Sequence, residues 1–255
     1  MTSPPIQPDN CVQNWKEPQR AHLGFVVAAE DHTFESDVRS VQAAGIELSF
    51  ARMAPAFHYQ SATRTQPDLA LQQIRRASRA LYETGDLDVA IFAMGRLCAL
   101  LGNHQILETV YQGAPGALVS SIHSATKRAF RAIQVKRVVV ATGYGREINS
   151  AIANAMGHYG YKVVNIRGMC SSSHRDFSLI EPRKIREFVL SLDRADADAI
   201  VISSTSMRAM EVVEELEQIA GKPVLCSNQM VLWDALRSAG INDRISGYGN
   251  LLREF

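Results

Sequence analysis

Two stretches of this chain, about 110 residues apart, carry one pattern: Asp86-Leu87-Asp88-Val89-Ala90-Ile91-Phe92-Ala93-Met94 and Asp196-Ala197-Asp198-Ala199-Ile200-Val201-Ile202-Ser203-Ser204. Each runs an acidic turn into a short apolar strand that ends in small or polar residues before a helix, which is where α/β proteins collect their chemistry. The same interval relates Gly24-Phe25-Val26-Val27-Ala28-Ala29 to Val138-Val139-Val140-Ala141-Thr142-Gly143. The chain therefore reads as two similar halves, and a site between them would be lined by four strand ends.

Length and composition narrow the function classes. At 255 residues, 46% hydrophobic and 21% charged, the chain can bury a large core in one or two globular domains. A formal charge of +1 gives no basic surplus to hold a phosphate backbone, so nucleic acid is not an expected partner and a small molecule is. No apolar run is long enough to cross a bilayer, and the polar stretch Met1 to Arg20 lacks the apolar centre of a signal peptide, so a cytoplasmic protein is expected. Cys11, Cys98, Cys170 and Cys226 form no Cys-x-x-Cys pair and are expected as free thiols. His32, His123 and His174 have no ligand spacing among them, and no metal or other cofactor is expected.

The apolar run Leu23 to Ala29 predicts a buried parallel strand opening into a helix near Phe34. Further strands are predicted over Ile46–Met53, Val89–Ala93, Ala117–Ser120, Arg137–Ala141, Lys162–Ile166, Ala199–Ser203 and Pro223–Cys226. Helices are predicted over Pro67–Glu83, Ser124–Ile133, Glu147–Tyr159, Pro182–Asp193, Glu211–Ala220 and Met230–Ala239. In the first of these, Leu69, Ile74, Ala77 and Leu81 form the apolar face and Gln72, Arg75, Arg76 and Arg79 the polar one. The alternation implies an α/β fold with a parallel sheet in each half, and the last helix is expected to pack across the halves.

The segment Pro223-Val224-Leu225-Cys226-Ser227-Asn228-Gln229, followed by Trp233-Asp234-Ala235-Leu236-Arg237 and Gly240, resembles the C-terminal signature of the aspartate/glutamate racemase superfamily, nearest its maleate isomerase and arylmalonate decarboxylase branch. Asp31-His32-Thr33-Phe34-Glu35 resembles that branch's first strand-to-helix turn, Thr142-Gly143-Tyr144 its Thr-Pro-Tyr turn, and Asp198 to Arg208 its second catalytic strand. The resemblance implies two Rossmann-like lobes related by a pseudo-twofold axis, with a cofactor-free pocket between them. It further implies an N-terminal arm over 1–21, a first lobe over 22–123 plus 228–255, and a second lobe over 124–227. A small carboxylate is the implied partner, and a homodimer is left open.

The family's paired cysteines are both replaced in this alignment. Met94 stands at the first, in Met94-Gly95-Arg96-Leu97-Cys98, and Ser204 at the second. A thioether carries no proton, and an unassisted serine hydroxyl is too weak an acid for a two-cysteine racemisation. Tyr144 takes the place of the family's carboxylate-binding tyrosine, with Thr142 matched beside it. Arg96 replaces a hydroxyl donor of the implied oxyanion pocket and could grip a carboxylate with its fork. Met94, Gly95 and Thr205 complete the expected lining. Cys98 lies one helical turn from Met94, so either it reaches the pocket or it is a buried, inert thiol. Ser204 and Thr205 could bind an anion at the start of the next helix, cap that helix, or both. Asp31 replaces a neutral asparagine and leaves three readings: a base, a changed substrate end, or a helix cap.

The reading that asks least of the missing thiols is a cofactor-independent lyase, of decarboxylase type, passing through an enolate-like intermediate, with Tyr144, Ser204 and Cys98 as the catalytic candidates. Two alternatives stand beside it: a cis–trans isomerase or racemase working through Cys98, and a non-catalytic carboxylate-binding protein.

Overall fold

The computed structural model describes residues 19–41, 43–54, 66–170 and 173–255. The first half runs β1 (Ala21–Ala28), α1 (Thr33–Ser40), β2 (Ile46–Met53), α2 (Pro67–Tyr82), β3 (Val89–Phe92), α3 (Gly95–Leu101), α4 (Asn103–Gly113), β4 (Leu118–Ser121) and α5 (Ile122–Ala132). The second runs β5 (Arg137–Thr142), α6 (Arg146–His158), β6 (Lys162–Gly168), α7 (His174–Ser178), α8 (Pro182–Leu192), β7 (Ala199–Ser203), α9 (Val213–Ala220), β8 (Val224–Cys226), α10 (Ser227–Ser238) and α11 (Asn250–Glu254).

All pairings among these strands are parallel, in two four-stranded sheets of orders β2-β1-β3-β4 and β6-β5-β7-β8. The order is the same in both, as the repeated sequence pattern requires. The central strand β1 is buried at every residue, as a parallel strand covered on both faces must be, whereas the edge strand β2 buries only Met53 fully. Asp88 and Asp198 begin the repeated strands in matching ways. Asp88 accepts a hydrogen bond from the backbone N–H of His22 at 2.7 Å, and Asp198 accepts from those of Lys136 and Arg137 at 2.9 and 2.7 Å. Each aspartate thereby fastens its strand to the first residues of the neighbouring central strand.

The helices α5 and α10, which follow the last strand of each sheet, pack on one another, and α10 also touches β3 and β4 of one sheet and β7 and β8 of the other. The expected crossing helix is thus present, but it starts at Ser227 rather than Met230. Ser227 and Asn228, poor helix formers in isolation, are buried polar anchors whose tertiary contacts override propensity. In α2 the buried face is Ala70, Ile74, Ala77, Ser78 and Leu81; Leu69 lies one step off it and is 38% exposed, which corrects its predicted place.

α9 begins at Val213, two residues later than predicted, and stops at Gly221 with φ +62°, the left-handed C-cap that glycine favours. Ala21, expected as the end of the arm, already belongs to β1, and the rest of the arm through residue 18, with Cys11, lies outside the described residues. The loop Pro55 to Thr65 and the pair Ser171-Ser172 lie outside them too. Among the described residues no helix is long and apolar enough to cross a membrane, and Cys98, Cys170 and Cys226 are free thiols.

Candidate active site

The two repeats bring their strand ends to one seam. In the ladders Phe92 pairs with Val26 and Ile202 with Ala141, so Met94 and Ser204 each lie two residues beyond equivalent positions. Met94 is the N-cap residue of α3 and is buried. Arg96, in the first turn of that helix, is only 3% exposed, so it points inward and not to solvent. Its guanidinium acts electrostatically on the Tyr144 hydroxyl, as does the carboxylate of Asp31. Three elements, the ends of β1, β3 and β5, therefore place Asp31, Arg96 and Tyr144 around one point. Burial pushes the Tyr144 phenol up to about 12; the Arg96 cation opposes that rise and Asp31 adds to it. At neutral pH the phenol keeps its proton and is available as a hydrogen-bond donor.

The turn that aims Tyr144 is fixed from below. Thr142 Oγ1 donates to Asn149 Oδ1 at 2.6 Å and accepts from the Tyr144 backbone N–H at 3.1 Å, and Asn149 Nδ2 donates to the Tyr144 carbonyl at 3.2 Å. The hydroxyl of Thr142, expected in the substrate-binding lining, is engaged within the turn, where it supports the tyrosine. Two glycines permit the geometry. A Cβ on Gly168 would fall 1.8 Å from the Tyr144 carbonyl oxygen, and one on Gly143 would fall 2.5 Å from the ring of the fully buried Phe177. Gly168 and Phe177 carry no sequence signal tying them to Tyr144, because both act through tertiary contact, whereas Asn149 closes the turn locally from the start of α6.

Asp31 caps α1, its Oδ1 accepting from the Phe34 backbone N–H at 3.1 Å, and its own carbonyl accepts from Arg52 at 3.0 Å. Ser204 and Thr205 are buried in the segment that follows β7. Because α9 starts only at Val213, they neither cap it nor present its N-terminus to an anion, which corrects that expectation; any anion here would be held by the turn itself.

Cys98 follows Arg96 by half a turn and is buried with its thiol against Ser121 and the backbone of His123. Burial pushes this thiol up to about 12, with Ser121 and the His123 backbone opposing. Gly95 begins α3 and lines a small interlobe cavity of about 30 Å³, shared with His123, Tyr159, Ser203, Ser227 and Met230, room for a water molecule or two. His123 lies 3.3 Å from the Tyr159 hydroxyl, and burial lowers its imidazole to about 4, which leaves it neutral. Among the described residues no three His, Cys, Asp or Glu side chains are grouped to hold a metal ion.

The family model described as arylmalonate decarboxylase matches residues 38–252. The chain is 25% identical over 244 residues to a maleate isomerase of Nocardia farcinica, covering 91% of this chain and 95% of that protein. It is 27% identical over 154 residues to an arylmalonate decarboxylase of Bordetella bronchiseptica, covering 58% and 63%. In three dimensions it is similar to the Nocardia farcinica maleate cis-trans isomerase, solved as a cysteine-to-serine mutant with a covalently bound succinylcysteine intermediate, with a TM-score of 0.83 at 23% identity over 92% of this chain and 99% of that one. A crystal structure of arylmalonate decarboxylase gives 0.76 at 19% identity over 91% and 98%. The chain belongs to the arylmalonate decarboxylase family, in the branch of the aspartate/glutamate racemase superfamily that also holds the maleate isomerases.

Proposed function

We propose that this protein is a cofactor-independent enzyme that removes a carboxyl group from a small dicarboxylate of malonate type through an enolate-like intermediate. The observation that carries the reading is the buried meeting of Arg96 and a protonated Tyr144 from the two halves of the seam. Arg96 would hold a carboxylate, and Tyr144, with the Ser204 and Thr205 hydroxyls and adjacent amides, would donate to the oxygen on which charge develops. Such donors act most strongly where water is excluded, and each is worth roughly 3 to 4 kcal/mol in the transition state. Loss of carbon dioxide leaves the electron pair on the α-carbon and its neighbouring oxygen, and a proton returns to that carbon. Ser204 stands at the position from which the proton would be delivered, and solvent water would return a proton to its oxygen, so that the overall step takes one proton from solvent.

Two observations bear on the alternatives. The maleate isomerase relatives support a shared handling of small carboxylates. An isomerase or racemase working through Cys98, however, would need a thiolate, and burial that pushes this thiol up to about 12 keeps it protonated at neutral pH. Proton NMR in deuterated buffer with aryl- and alkenylmalonates, maleate and aspartate tests the reading. A monoacid labelled with deuterium at the α-carbon supports decarboxylation. Isomerised maleate or exchanged α-protons would replace it with the isomerase or racemase, and binding without conversion would replace it with a carboxylate-binding protein.

A further inference from the structure

Helix α1 and the turn after β7 belong to different sheets, yet buried polar contacts join them. Thr33 Oγ1 donates to the Ser206 carbonyl at 3.0 Å. Asn228, the second residue of α10, donates through the same Nδ2 to Asp37 Oδ2 at 2.7 Å and to the Thr205 carbonyl at 2.9 Å. Thr33, Asp37, Thr205, Ser206 and Asn228 are all less than a tenth exposed. Two acceptors on one nitrogen fix the orientation of the amide, and that orientation persists although it leaves Asn228 Oδ1 buried without a hydrogen-bond partner. The segment it holds, from Ser204 to Val212, has no regular hydrogen-bonded ladder of its own. Its conformation therefore depends on such outside contacts.

We propose that Asp37 is a positioning residue for the candidate active site: through Asn228 it holds the turn carrying Ser204 and Thr205, and the charge it bears sets how tightly that turn is held. While Asp37 stays buried on α1, releasing the turn costs an ionised carboxylate a charge-assisted bond to the amide and a protonated one only an ordinary bond, so the turn is held more tightly above the titration. Unfolding of the whole chain, which also hydrates Asp37, is by contrast favoured by the same ionisation. The groups acting on Asp37 are few. Glu211 and Arg208 come from the turn segment, where they pair with each other at 2.6 and 2.9 Å, and Asp31 comes from the β1–α1 turn. Cys226 adjoins it from β8, its own thiol raised mainly by burial and further by the Asp37 charge. Burial outweighs the Asn228 bond and brings the carboxyl to about 7, so it changes charge within the neutral range. The inference rests on the proposed function only in treating Ser204 and Thr205 as part of the site.

Amide hydrogen exchange of residues 204–207 in the full chain, corrected for intrinsic rates, tests the clasp from pH 6 to 8. Wild type should gain about fivefold in protection as pH rises, while Asp37→Asn stays flat at the low value and Asn228→Ala lies lower still. Thr33→Val, nearly isosteric, should lower protection at Ser206 and Met207 without removing the pH dependence, and it keeps the test open should Asn228→Ala fail to fold. Protection that ignores pH in wild type, or that is unchanged in Asp37→Asn at pH 8, would overturn the proposal. Because exchange needs no substrate, pH-dependent protection in a protein that converts none of the malonates would retain the clasp and remove the proposed function.

Discussion

Tyr144 is the residue whose role follows most directly from its surroundings: a buried phenol, protonated at neutral pH, facing a buried cation. Tyr144→Phe keeps the ring and removes the donor, so turnover of an accepted malonate should fall by at least about tenfold with the melting temperature little changed. Gly143 is the packing counterpart. Gly143→Ala drives a methyl into the Phe177 ring and should cost about 1 to 3 kcal/mol by urea denaturation. Phe177→Leu in the same chain should return part of that loss, a coupling measurable as a double-mutant cycle. Thr142 and Tyr144 were legible in the sequence because they are neighbours within one turn, whereas Phe177 and Gly168 reach that turn only through the fold. Asp37 was likewise invisible, an ordinary polar residue on a short helix until burial raises it to about 7. A folded-state value above the unfolded one means that the native protein binds the proton more tightly. This contribution to stability is therefore fully present below about 3.8 and is lost as pH rises through about 7. Between pH 6 and pH 8 it should lower the unfolding free energy by about 1.4 kcal/mol, and Asp37→Asn should flatten that step.

Elements with strong periodicity were read well, β2 and β7 to the residue and α2 to within one. What escaped was the stretch between β3 and β4. The sequence implies a helix through Met94 to Cys98 but gives it no bounds and shows no second one, yet the stretch holds both α3 and α4, divided at Gly102 with φ +90°. α3 packs against α4 and α5 of its own half and against α6 of the other, so its pattern lacks the single face that marks a surface helix. α10 shows how one element can carry the architecture. Its Asp234, 1% exposed, pairs with Arg128 of α5 and accepts from Ser120 Oγ of β4 at 2.7 Å. Asp234→Asn would leave the Arg128 cation facing a neutral partner and should cost about 2 to 3 kcal/mol, less than a fully buried pair because Arg128 can reach water. The check is a lowered urea midpoint at unchanged slope.

At the scale of the molecule, the repeat read from two acidic-to-apolar stretches is the feature that organises everything else: two sheets of the same strand order, joined through α5 and α10. The candidate site at the seam is legible as a location, since strand ends of parallel sheets converge there, but not as a chemistry, because that depends on which buried groups oppose one another. A ligand bound across the seam stabilises both halves together, so a millimolar arylmalonate should raise the melting temperature of the whole protein. Arg96→Met should abolish that rise while the unliganded melting temperature stays within a few degrees, as calorimetry would show.

The equivalence of Met94 and Ser204 across the repeat has a stereochemical consequence. A planar carbanion lying between them would see a thioether on one face and a hydroxyl on the other, and only the second can give up hydrogen. The scaffold is nearly symmetric, while on the proposed mechanism its proton supply is one-sided. A prochiral malonate should therefore yield a single enantiomer, and the deuterium it acquires should mark the face turned toward Ser204.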